Sequence, residues 1–190
     1  MIGAELVIRG ILLGVGLAAD ALAVSMTNGF NEPKMPVKRV ALIAAFFGLF
    51  QGVMPLIGYF VGAALFKSIE KVIPWISLVI LGFLGIKAVK GGLEERDEQT
   101  VKRLTVAVLF GQAVATSLDA LSVGFTMADV SPLSAAIIVT IIATETFIIS
   151  FAGVNVGKKF GDMFGNKAEI AGGIILILIG TEIFATKIFF

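Results

Sequence analysis

Six long apolar stretches take up most of this chain, at about 4–27, 40–65, 72–90, 104–127, 133–156 and 168–188. A helix that crosses a bilayer needs about 20 mostly apolar residues, and each stretch is that long or close to it. Barrel strands would alternate with polar residues at every second position, which these runs of Leu, Ile, Val, Ala and Gly do not. The expected fold is an all-α integral membrane protein of six transmembrane helices, with no room left for a soluble domain. Composition agrees: 57% of the 190 residues are hydrophobic and 15% are charged, where a soluble domain carries roughly a quarter. The absence of both Cys and His excludes thiolate and zinc-hydrolase chemistry and Ser-His-Asp triads. A net charge of +1 offers no field to recruit nucleic acid. A transporter is expected, not an enzyme.

Ala21-Leu22-Ala23 looks like a signal-peptide cleavage site. The residues before it are nearly uncharged, place Glu5 ahead of Arg9 and end on Asp20, so the stretch reads as a retained helix. Orientation follows the distribution of Lys and Arg between the short loops. With alternating spans, eleven of the fifteen basic residues fall on one side, among them Lys34, Lys38, Arg39, Lys158 and Lys159. That side is expected to be cytoplasmic, with both termini outside and the 91–102 linker inside.

The chain repeats itself. Asp20-Ala21-Leu22-Ala23-Val24-Ser25-Met26-Thr27 aligns with Asp119-Ala120-Leu121-Ser122-Val123-Gly124-Phe125-Thr126 at an offset of 99. Gly58, Gly62 and Gly85 align with Gly153, Gly157 and Gly180 at an offset of 95. The expected organisation is therefore one membrane domain in two parts, residues 1–95 with the start of an acidic linker and residues 96–190. Three helices per half is an odd number, so the halves are expected to lie upside down relative to each other. Such inverted repeats place a transport site near the midplane, at their interface.

Four carboxylates fall within the apolar stretches: Asp20, Asp119, Glu145 and Glu182. Each ionised acid at that depth costs at least about 2.5–3.5 kcal/mol, so each needs a partner or a proton. Lys87 is the one base at comparable depth, which leaves negative charge for a cation to balance. Thr27 lies seven residues from Asp20, within about 20° of it on a helix, and Thr126 repeats that relation to Asp119. Gln112 shares the face of Asp119, and Gln51 adds an oxygen four residues before Pro55. Oxygen ligands without His or Cys suit Mg²⁺, Ca²⁺ or Mn²⁺. The candidate cation ligands are thus Asp20, Asp119, Thr27, Thr126 and Gln51. Competing readings are protonated Asp residues that only join helices, and Thr hydroxyls bonded back to their own helix. Glu145, between Thr144 and Thr146, is an accessory candidate, whereas Glu182 reads as reaching the outer interface. Glu94, Glu95, Asp97 and Glu98 make the linker acidic, either a solvated connector or a vestibule that collects cations.

Several of these segments resemble a known family. Asp20-Ala21-Leu22-Ala23-Val24-Ser25, the run from Phe47 to Gly58, Ala115-Thr116-Ser117-Leu118-Asp119-Ala120 and Asn166-Lys167-Ala168-Glu169-Ile170-Ala171-Gly172-Gly173 are similar, in order, to motifs of the MntP-type manganese efflux pumps. The resemblance implies a multi-pass protein of the bacterial or archaeal cytoplasmic membrane that exports Mn²⁺ as its substrate, with no permanently bound cofactor. It maps the two helix-embedded aspartates of the family onto Asp20 and Asp119, its helix-three base onto Lys87, and its acidic loop onto Glu94, Glu95, Asp97 and Glu98. Many members carry a Lys soon after the first motif. Here Thr27-Asn28-Gly29 stands there, and Asn28 would supply a neutral oxygen. Alternating access is the expected mechanism. Lys87 would pair with a freed carboxylate when the site is empty, and protonation of the carboxylates would couple release to proton entry. The rival readings are an exporter of small organic solutes such as amino acids, an intramembrane aspartyl protease and a non-transporting assembly subunit. The protease lacks its usual Gly-x-Gly-Asp context here.

Overall fold

The structure is a computed structural model, described for residues 3–70, 72–93, 104–127, 130–164 and 166–189. Over these residues it is helical throughout: α1 (Ala4–Asn31), α2 (Val37–Glu70), α3 (Ile73–Leu93), α4 (Val106–Thr126), α5 (Pro132–Phe164) and α6 (Asn166–Phe189). Five of the helices are long and apolar enough to cross a bilayer, while α6 carries a shorter apolar stretch, Ile170–Thr186. The acidic residues Glu94, Glu95, Asp97 and Glu98 lie outside the described residues.

Local chemistry fixes the helix ends. Pro33 and Pro36 punctuate the turn after α1, and the carbonyl of Pro36 accepts from Arg39 and Val40 to start α2. Thr105 caps α4, its hydroxyl accepting from the Val108 amide at 3.3 Å. Ser131 does the same for Ser134 at 3.2 Å, just ahead of Pro132, whose missing N–H is harmless in a first turn. Pro55 sits inside α2 without ending it.

The main seams all join one half of the chain to the other. The chief partner of α1 is α5, α2 packs on α4 and α5, and α3 packs on α6, whereas α1 and α2 barely touch, as do α2 and α3. Along the first seam Gly10 meets Ile141, Gly14 meets Glu145, Gly157 meets Met26 and Gly161 meets Phe30. Both helices advance together, so α1 and α5 run parallel. Phe50 stacks edge-on against Phe110 with ring centroids 5.3 Å apart, and Gly58 lies on the Leu121 carbonyl, so α2 and α4 also run parallel. The α3–α6 pair is antiparallel, with Gly85 against Gly173 and Trp75 against Phe184. Small residues let these backbones approach, which is how helices associate where lipid supplies no hydrophobic drive. Large side chains such as Leu12, Phe60, Phe83 and Leu178 point outward and are 61–77% exposed. In water so much bare apolar surface would drive aggregation, whereas against acyl chains it is at home.

Candidate cation site

Two contacts fix how α1 lies against α4. The Asn28 amide donates to Gln112 Oε1 at 2.9 Å, and the Gln112 amide donates back to Asn28 Oδ1 at 3.1 Å. Towards the opposite ends Arg9 reaches the Thr126 carbonyl at 3.4 Å. These contacts make the helices antiparallel. Asp20 is eight residues from Asn28, and Asp119 is seven from Gln112. At 1.5 Å per residue that is about 12 Å and about 10.5 Å along the same direction, so the two aspartates stand at one depth. Both are half-buried, and Asp119 Oδ1 is closed to solvent.

Thr27 points at α6. Its hydroxyl donates to Ala23 O at 3.0 Å and lies 3.4 Å from Gly172 O. Because Asp20 shares the face of Thr27, it too looks towards α6. The antiparallel register through Gly172 brings Glu182, which is exposed, to within about one turn of its level. Spacing alone assigned Glu182 to the outer interface. The offset that pairs Gly85 with Gly180 also pairs Lys87 with Glu182. Thr126 is exposed, its hydroxyl donating to Val123 O at 2.8 Å. The α1–α4 register puts Thr27 about 10 Å to one side of the aspartates and Thr126 about 10 Å to the other, so neither threonine expected as a ligand shares their depth.

Gln51 is 1% exposed and donates to Leu17 O at 3.0 Å. Its Oε1 is buried without a hydrogen-bond partner among the described residues, as are the hydroxyls of Ser25, Thr146 and Ser150. Glu145 lies against Gly14, where any side chain would occupy the place of its Oε2, and that oxygen too is buried and unpartnered. Unsatisfied oxygens at this depth are costly. Here they line the α1–α5 seam and the adjoining face of α2. The Gln51 and Glu145 oxygens are acceptors without a donor, which a cation or a proton would complement, whereas the hydroxyls can both donate and accept. Among the described residues, no three of Asp, Glu, His or Cys converge as a ready-made metal cage. A bound ion would therefore depend on amide, hydroxyl, backbone or water oxygens besides carboxylates.

Lys87 stands apart from the aspartates. It lines a recess of about 120 Å³ with Asn28, Asn31, Thr105, Val108 and Gln112, at the end of the bundle where α1 and α3 finish and α4 begins. Near that end Glu32 pairs with Arg39 at 2.8 Å, and Arg39 also donates to the Leu104 carbonyl at 2.6 Å. Lys158 donates to the Met35 carbonyl at 2.7 Å. These ties were not anticipated from sequence, where the same basic residues served only to orient the chain.

Residues 34–184 match the family model described as "Putative manganese efflux pump". Curated proteins carrying that description with the name MntP are similar over nearly their whole length. One from Campylobacter hominis is 42% identical over 94% of this chain and 97% of its own. One from Methanobrevibacter smithii is 39% identical over 91% and 94%, and one from Rippkaea orientalis is 41% identical over 90% and 91%. No solved structure matches.

Proposed function

We propose, on the premise that this chain belongs to the MntP family of manganese efflux pumps, that it exports Mn²⁺ from the cytoplasm by alternating access. The ion is held between two inverted three-helix halves by Asp20 and Asp119. The observation that carries this reading is the antiparallel register of α1 and α4, which sets both carboxylates at one depth.

Equivalent seams support the inverted arrangement. Gly58 rests on Leu121, and its repeat partner Gly153 rests on Leu22, the repeat partner of Leu121. Two carboxylates neutralise one divalent ion, so the loaded site carries no net charge across the apolar region. An empty site leaves two negative charges at a depth where each is costly, so transit of the empty protein requires protons or a substitute cation. Proton antiport is the economical solution. Gln51, tied to Leu17 O about one turn from Asp20, adds a neutral oxygen of the kind Mn²⁺ accepts, while Thr27 and Thr126 flank the ion's path on either side of the aspartates. Glu145 is an accessory carboxylate, and Lys87 acts on the approach rather than at the ion. In this reading α6 is the sixth span, the termini face outward, and the acidic linker lies in the cytoplasm of a bacterial or archaeal cell.

The deciding experiment loads cells that lack their own exporter with manganese and expresses either this chain or its Asp119→Asn variant. Lower cellular manganese with the intact chain alone supports both export and the site. Equal lowering by both would keep the pump and discard the site. No lowering by either, with another solute moving instead, would discard manganese export.

A further inference from the structure

We infer that Asn28 and Gln112 form a gate between the recess at the Lys87 end of the bundle and the aspartate pair. The inference rests on the transport reading above and adds to it a barrier and the chemistry of passing it. The two amides are 2% and 3% exposed and exchange both hydrogen bonds, at 2.9 and 3.1 Å. They join α1 to α4, and hence one half of the chain to the other. Both side chains line the recess, whose volume holds several water molecules. From the same two residues the helices run on about two turns to Asp20 and Asp119. The clasp thus lies between a space that admits water and the proposed ion site.

Closed, the pair satisfies itself, each amide giving one donor and one acceptor, and side chains in hydrogen-bond contact leave no room for an ion. Opened, each amide turns a carbonyl oxygen to the pathway. Those two oxygens replace waters that a divalent ion sheds on leaving the recess, a donor type that suits Mn²⁺. Asn31 Oδ1, buried and without a hydrogen-bond partner among the described residues, offers a third oxygen in the same recess. Neutral amides serve here better than carboxylates would, because they lower the cost of dehydration without trapping the ion before it reaches Asp20 and Asp119.

The native chain has no cysteine, which makes the test clean. In proteoliposomes with Mn²⁺ as the probe, Asn28→Cys/Gln112→Cys joined by a short bis-methanethiosulfonate is expected to lose transport, and a reductant to restore it. Each single variant treated alike should lose far less of its own untreated rate than the cross-linked pair loses. In nanodiscs, Thr116→Cys reports from between Gln112 and Asp119, where the native residue is 1% exposed. Adding Asn28→Ala removes both bonds of the clasp, so labelling of Thr116→Cys by a polar maleimide should quicken about tenfold. Full transport by the cross-linked protein, or labelling unchanged by Asn28→Ala, overturns the gate. Should the intact chain move no Mn²⁺, the transport reading fails, and the labelling rates still decide whether the clasp seals the recess.

Discussion

Helices α1 and α4 carry the same motif, yet they live in different company. Asp20 looks towards α6, which carries Glu182 within about one turn of its level. Asp119 lies among hydroxyls bonded back to their own helix, Thr116 to Gln112 O and Ser117 to Ala113 O. The repeat partner of Glu182 is Lys87, which lines the recess on the far side of Gln112. Packing differs as well. Gly124 on α4 is pressed against the Pro55 carbonyl, while its counterpart on α1 is Ser25, fully buried with its hydroxyl unpartnered among the described residues. The two motifs thus share their carboxylates and differ in their surroundings.

Four sets of substitutions would break or sharpen that contrast. The largest effect is expected from Asp20→Asn or Asp119→Asn. Losing one of two charges that face a desolvated ion should weaken Mn²⁺ binding at least about thirtyfold, read by titration calorimetry on purified protein. Binding that survives either change would remove that residue from the site. Next comes Gly124→Ser, which forces a side chain onto the Pro55 carbonyl and should destabilise by about 1–3 kcal/mol. The reciprocal Ser25→Gly should stay within about 1 kcal/mol of the parent. Equal melting temperatures in detergent for both would show that the two seams are not distinct. Smaller still is Glu182→Gln, expected to lower Mn²⁺ affinity about threefold through a screened charge. Lys87→Gln should not lower it; a matching loss there would mean the two positions have not diverged. The smallest effect belongs to Gly16→Ala. Nothing lies within 4 Å of a methyl group at that position, so melting temperature and transport should hold, with a helix-propensity gain of at most about 1 kcal/mol. A clear loss would mean that this face of α1 is covered.

Hydropathy made the helices legible, but not their ends. The apolar pattern of the first stretch stops near Thr27, whereas α1 runs to Asn31, because Asn28 finds Gln112 and has no need of water. The fifth stretch fades near Val156, and α5 continues through Lys158 to Phe164, its lysine tied to the Met35 carbonyl. Tertiary partners extended both helices where composition alone would have ended them. The depth of Asp20 and Asp119 was legible because the repeat is written in the sequence. The Asn28–Gln112 clasp was not, since it joins positions 84 residues apart that share no motif. Which neighbour Glu182 faces was not legible either: distance from a helix end says how deep a residue lies, but not which helix it lies against.

The pairing of helices across the halves has a consequence for biosynthesis. As the chain emerges, α1, α2 and α3 enter the bilayer with few contacts among themselves, and the main partners of each have not yet been translated. The Arg39 bond to the Leu104 carbonyl likewise waits for residues far downstream. A ribosome that stalls midway would thus leave three loosely associated spans for quality-control proteases to find. The two halves, made as separate polypeptides, should accumulate only when expressed together.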